Sequence, residues 1–196
     1  MTSRILILYG TSYGQTAKVA RYIAETLTNR GDFAKVVDAD HVPPALALRD
    51  FDGVIIGASV IGGRHQRCVR RFVTENRDAL NAMPSAFFSV SGAAASHDRK
   101  GRIDALRCMD DFLDVTGWQP RFTESVAGAM AFTKYNPLMR WVLKQISKRN
   151  GGPTDTSRDH ELTDWAQVER FVETFMTELS PGDQTLPSAM SLAART

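Results

Sequence analysis

At 196 residues and 43% hydrophobic content, the chain is long enough for one domain with a substantial core, which excludes a disordered or disulfide-stapled protein. Its net charge of +2 is too small to mark a nucleic-acid binder, and two cysteines, Cys68 and Cys108, are too few and too far apart for a zinc cluster. No run approaches the ~18 apolar residues of a membrane span, and no signal-peptide pattern opens the chain, so the expected location is the cytoplasm.

Arg4 to Tyr9 reads as a buried strand, and the helix after it has one apolar face at Val19, Ile23 and Leu27, closed by Gly31. Phe33 to Asp38 and Gly53 to Ser59 are the next strands, followed by a helix over Arg64 to Asn81 with Val69, Phe72, Val73 and Leu80 inward. Pro84 to Val90 is the fourth strand, Ile103 to Val115 a helix, and the fifth strand lies within Arg121 to Gly128. The last helix runs from Asp164 to Leu179 with Thr163 as its N-cap. Such alternation implies an α/β fold: a flavodoxin-like, doubly wound, five-stranded parallel sheet in the order 2-1-3-4-5. The domain then spans residues 1–180 with an insertion over about 129–162, far longer than an ordinary connection. A tail over 181–196 is expected to be disordered, and both cysteines to be packed thiols in helices.

The stretch Gly10-Thr11-Ser12-Tyr13-Gly14-Gln15-Thr16 joins the first strand to the first helix, where unpaired helix N–H groups and the positive end of the dipole favour phosphate. Gln15-Thr16 replaces the Lys-Ser/Thr pair of a nucleotide P-loop, and glycines four apart do not make G-x-G-x-x-G. Triphosphates and dinucleotides are thereby disfavoured. What remains is a cradle of neutral donors from Thr11, Ser12, Gln15, Thr16 and the backbone, suited to one terminal phosphate such as that of FMN; an ordinary strand-to-helix turn is the alternative. Two further loops, Ala58 to His65 and Ser89 to Arg102, should close over a flat ring, their Gly62, Gly63 and Gly92 admitting close approach.

These residues carry a resemblance. The loop "TSYGQT" resembles the flavodoxin phosphate loop, and "VIIGASV", "MPSAFFSV" and "GGPTDTSRDHELTDW" together resemble the flavodoxin-type, menaquinone-dependent protoporphyrinogen oxidases, from about Arg4 to Leu179. The resemblance implies FMN as cofactor, oxidation of protoporphyrinogen IX in haem biosynthesis, and a quinone acceptor at the inner face of the cell membrane. Phosphate contacts carry over to Thr11, Ser12, Tyr13, Gly14, Gln15 and Thr16. Ring contacts carry over to Ser59, Val60, Ile61, Gly62 and Gly63 and to Ser89, Val90, Ser91 and Gly92. One departure is that neither ring loop holds the Tyr or Trp that flavodoxins stack on the isoalloxazine; the rings present are His65 and His97. A flavodoxin electron carrier and an FMN-dependent quinone or NAD(P)H reductase are the alternative functions, and no side chain stands out as a dedicated acid or base.

Five of the 24 basic residues lie between Ser125 and Thr154 without a single acid, so the positive charge is concentrated in the insertion. From Leu138 the insertion reads as an amphipathic helix with Leu138, Met139, Val142, Leu143 and Ile146 on one side, Arg140, Lys144 and Lys148 opposite, and Trp141 between, ended by Asn150-Gly151-Gly152. It is expected either to lie on an anionic membrane surface or to pack on its own domain with a solvated basic side. Arg64, Arg67 and Arg70 on one helix, with Arg99, Lys100 and Arg102 in the second ring loop, extend the basic rim. That rim, with His65, suits a carboxylate-bearing substrate or phospholipid head groups.

Overall fold

Along β1 (Arg4–Gly10) the unbroken apolar run divides by parity: Ile5 and Ile7 enter one core and Leu6 and Leu8 the other. Successive strand residues point to opposite faces, so a strand apolar on both must be covered on both. The computed structural model describes residues 2–96, 98–149 and 152–179. Met1, His97, Asn150-Gly151, residues 180–196, including the tail 181–196, and the side chains of Ile146 and Arg149 lie outside this description.

The chain continues through α1 (Gln15–Asn29), β2 (Phe33–Asp38), β3 (Gly53–Ile61), β4 (Arg64–His65), α2 (Arg67–Glu75), α3 (Arg77–Ala82), β5 (Ser85–Ser91), α4 (Arg99–Thr116) and β6 (Phe122–Ala127). The insertion follows as β7 (Ala129–Met130), α5 (Pro137–Arg149) and β8 (His160–Glu161), and α6 (Trp165–Leu179) closes the domain. Five strands are parallel in the order β2-β1-β3-β5-β6, the expected flavodoxin-like topology. One face is packed by α2, α3 and α4 through Val69, Leu80 and Phe112, the other by α1 and α6 through Ile23, Leu27, Phe171 and Phe175. Close packing needs glycine at one interior position: a Cβ on Gly57 would stand 2.0 Å from the Phe88 ring.

Three local expectations change. The helix expected over Arg64 to Asn81 is two helices, and Arg64–His65 is a strand pairing antiparallel with Val60 and Ile61. Gly62 and Gly63, at φ +56° and +75°, form the two-residue turn between them, a backbone that favours residues without a Cβ. The next helix begins at Arg99 rather than Ile103, so Arg99, Lys100 and Arg102 occupy its first turn and not a loop. Finally, Asp164 and not Thr163 caps α6, its carboxylate accepting the Gln167 N–H at 3.2 Å.

Cys68 in α2 and Cys108 in α4 are free and half-buried, with burial first among the causes that push both thiols up, Cys68 to about 11. No helix among the described residues is long and apolar enough to cross a membrane, and no group of His, Cys, Asp or Glu among them is arranged to hold a metal.

Candidate flavin-binding cleft

Beyond the carboxyl ends of β1, β3 and β5, where an open parallel sheet binds ligands, lies a cleft of about 190 Å³. Its floor starts at the phosphate loop. Gly14 adopts φ +98° and sits at the N-cap of α1 without any side-chain cap, so the first-turn N–H groups of α1 are left for a ligand. The Gly14 N–H itself donates to Thr11 Oγ1 at 3.0 Å, which closes the turn. Thr16 is fully buried, and its Oγ1 has no hydrogen-bond partner. An unpaired buried hydroxyl costs about 1–3 kcal/mol, so this one is available to a bound acceptor. A terminal phosphate meets that need.

The other walls combine expected and unexpected residues. Thr11, Tyr13, Gln15, Thr16, Ser59, Val60, Ile61, Gly62, Val90, Ser91 and Gly92 all line the cleft. Ser12, Gly14, Gly63 and Ser89 do not. Ser12 and Ser59 are tied by Gln66, whose Nε2 donates to Ser12 Oγ at 3.2 Å and to Ser59 Oγ, joining the phosphate loop to the β3–β4 hairpin. Ser89 is buried, with its hydroxyl 2.9 Å from His65 Nε2.

His65 lies away from the cleft-facing rim. Its ring packs edge-on to Phe87 and Phe112 at centroid distances of 5.3 and 5.0 Å, and burial lowers its pKa to about 4. It is a neutral core imidazole at ordinary pH. Arg64, Arg99, Lys144 and Lys148 are exposed. Arg140 departs from the expected solvated basic face: it is half-buried, donates to the Tyr135 carbonyl at 3.1 Å and keeps a buried Nε without a partner.

The residues that sequence reasoning missed come from the insertion, which folds back over the cleft. Gly128, Ala129, Met130, Tyr135, Met139 and Leu143 line it opposite the phosphate loop. Tyr135 is buried, meets Tyr13 edge-on at 4.8 Å and 85°, and packs with Ala131 and Phe132 in a small core of its own that Leu143 joins. The aromatic surface absent from the two ring loops is therefore supplied from elsewhere, and the cue in the sequence was "FTKYNP". The insertion is fastened at both ends. Lys134 Nζ donates to the Tyr13 carbonyl at 2.9 Å. At the far end Glu161 pairs with Lys18 at 2.8 Å and accepts from Gln15 Nε2 at 2.9 Å, and Thr163 takes a second bond from that amide at 2.8 Å. Lys18, foremost, and Gln15 hold the Glu161 carboxyl below its ordinary range. Gln15 thus serves the insertion as well as the loop.

On α5 the expected apolar arc is divided. Met139 and Leu143 face the cleft, whereas Leu138 and Trp141 are 73% and 61% exposed. No charged side chain lines the cleft among the described residues. One end presents hydroxyls and backbone N–H groups, and the rest is an apolar slot with two tyrosines, a lining suited to a flat cofactor.

The family model described as flavodoxin domain matches residues 6–157. A protein of Escherichia coli (strain K12) named protoporphyrinogen IX dehydrogenase [quinone] is 33% identical over 168 residues, covering 86% of this chain and 92% of that one. A protein of the same name from Leishmania major is 32% identical, covering 88% of this chain and 74% of that one. Among solved structures, oxidised flavodoxin 1 of Bacillus cereus superposes with a TM-score of 0.55 at 19% identity, covering 89% of this chain and 98% of that one; the likeness is one of fold.

Proposed function

Because this chain belongs to the flavodoxin domain family and, within it, to the quinone-dependent protoporphyrinogen IX dehydrogenases, we propose that it oxidises protoporphyrinogen IX to protoporphyrin IX with FMN as cofactor and a menaquinone-like quinone as acceptor. The observation that carries this reading is the cleft itself: the unpartnered Thr16 hydroxyl at one end and an apolar wall of Met130, Tyr135, Met139 and Leu143 facing it. A carrier that docks other proteins needs its cofactor open to them; here Met130, Tyr135, Met139 and Leu143 of the insertion line one wall of the cleft that would hold it.

Thr16 Oγ1 and the first-turn N–H groups of α1 hold the phosphate, while Ser59 to Gly62 and Val90 to Gly92 bound the ring. FMN bound there supplies the redox centre that no side chain can provide. Tyr135 and Leu143, with Met139 at the rim, give the slot an apolar wall that would orient the puckered porphyrinogen ring. Burial, first among its causes, raises the Tyr135 pKa and keeps its hydroxyl protonated; that oxygen accepts the Ala131 N–H at 3.2 Å and so braces the wall. Among the described residues the lining offers no carboxylate or imidazole as a dedicated acid or base; overall, the six hydrogens that protoporphyrinogen IX loses reduce three quinones to three quinols.

We place the protein peripherally on the inner face of the cell membrane. The support is local: Leu138 and Trp141 project from α5 beside Lys144 and Lys148, so apolar and basic groups present together next to the cleft. Lipid-soluble quinone would then reach the cleft from the bilayer. The test compares flavin-free and FMN-loaded protein for formation of fluorescent porphyrin from protoporphyrinogen IX. Formation that depends on FMN supports the reading, and equal rates with and without FMN refute it.

A further inference from the structure

Beside the flavin cleft, on the outer side of the β3–β4 hairpin, is a second concavity of about 260 Å³ lined by Ser12, Ile61, Arg64, Gln66, Arg67 and Arg70, with His65 between them. It adjoins the cleft. Ile61 borders both, and Gln66, bonded to Ser12 and Ser59, forms the partition. Its arginines at 64, 67 and 70 are all exposed, and none makes an ion pair or a side-chain hydrogen bond among the described residues. Acids do lie nearby: Asp40 and Glu75 share a neighbouring depression with Arg67 and Arg70, and Asp111 another with Arg64 and Arg70. They stand beyond ion-pair distance, so they temper the local potential without occupying the guanidinium donors.

We propose that this arginine pocket binds the carboxylates of the substrate. The inference rests on the functional reading above, in which the cleft takes part of a tetrapyrrole bearing propionate side chains on one edge. Those carboxylates cannot follow the ring inside. Among the described residues the cleft has no charged lining side chain, and an ionised carboxylate left unpaired away from water costs several kcal/mol. On the insertion side, Lys134 and Arg140 are committed to the carbonyls of Tyr13 and Tyr135. On the hairpin side, three forked guanidinium groups are free to take a carboxylate by paired N–H donors. Ile61, 43% exposed near the hairpin tip and bordering both concavities, and the Gln66 partition stand between them and the slot. A substrate lying in the cleft with its acidic edge over Ile61 satisfies both the apolar wall and the charges. The pocket thereby sets which way round the macrocycle enters, and it selects dicarboxylic porphyrinogens over neutral ones.

The experiment titrates FMN-loaded wild type and the R64Q/R67Q/R70Q variant with protoporphyrin IX and with its dimethyl ester, followed by porphyrin fluorescence, with turnover of the corresponding porphyrinogens measured in parallel. Wild type is expected to prefer the diacid. The variant is expected to lose about tenfold or more in diacid affinity, and in KM rather than kcat, while its ester binding and FMN content stay unchanged. Equal losses for diacid and ester, or no loss for either, overturns the proposal. So does a variant that keeps diacid affinity but no longer binds phosphatidylglycerol vesicles, which assigns the arginines to lipid phosphate. Binding of the diacid without any turnover by wild type refutes the dehydrogenase reading and leaves the carboxylate pocket standing.

Discussion

Lys134 Nζ donates to the carbonyl of Tyr13 at 2.9 Å across a separation of 121 residues, so the loop that reads as a phosphate site without a cation receives one from the insertion. The same ammonium lies 3.7 Å from where a Cβ on Gly14 would stand. It is therefore placed to strengthen the field at the N-terminus of α1 and to couple cofactor binding to closure of the insertion.

Replacing Lys134 with Met should weaken FMN binding by about five- to tenfold, the scale of one charge-assisted bond at a partly solvated site. Riboflavin, lacking the phosphate, should bind wild type and variant alike. Quenching of flavin fluorescence measures both affinities, and equal losses for the two flavins would assign Lys134 to packing of the insertion alone.

Thr16→Val should act with opposite signs on the two forms of the protein. Its unpartnered buried hydroxyl costs the flavin-free protein about 1–3 kcal/mol, so the variant should melt higher without FMN. It should also bind FMN roughly tenfold more weakly, as a hydrogen bond to the phosphate is lost. Thermal unfolding with and without FMN checks both signs; lower stability in both forms would show that the hydroxyl serves the fold and not the cofactor.

His65 makes stability depend on pH. Its pKa falls from 6.5 unfolded to about 4 folded, because of burial, so the unfolded chain binds more protons between these values. Stability should accordingly be full above about pH 6.5, decline as pH falls toward 4, and flatten below, by about 3 kcal/mol at most. Urea midpoints across this range should show that slope in wild type and a shallower one in His65→Gln. Identical slopes would place the titrating group elsewhere.

Leu138→Glu together with Trp141→Glu should abolish most binding to phosphatidylglycerol vesicles, and Lys144→Glu with Lys148→Glu should weaken it in a salt-dependent manner. Arg140 is left unchanged in both, since its bond to the Tyr135 carbonyl supports the cleft. Co-sedimentation with vesicles reports the result, and full retention of binding in both variants contradicts the peripheral membrane placement.

What could be read from the sequence was what local chemistry dictates. Runs such as Ile5 to Leu8 and Val54 to Ile56 are apolar on both faces because both faces are covered, and the glycine-bearing turn between the first strand and an amphipathic helix does line the cleft. The hairpin was also legible in principle, since Gly62-Gly63 is a two-residue turn signal; the arginines around it were absorbed into a helix because their spacing suited one. What could not be read depends on distant partners. His65 looks like a loop residue until Phe87 and Phe112 close around it. Arg140 falls on the basic side of a helical wheel, yet the Tyr135 carbonyl draws it inward. Tyr135 reaches the cleft through the fold of the insertion, which Lys134 and Glu161 tie to the first loop and helix.

The most direct test of the central claim is anaerobic turnover in the dark: FMN-loaded protein, protoporphyrinogen IX and a menaquinone analogue, followed by porphyrin fluorescence. Porphyrin should form well above the enzyme-free rate, dependent on the quinone and accompanied by quinol. Porphyrin formation no faster than the control, in protein that still accepts electrons rapidly from a flavodoxin reductase, would contradict it and identify an electron carrier instead.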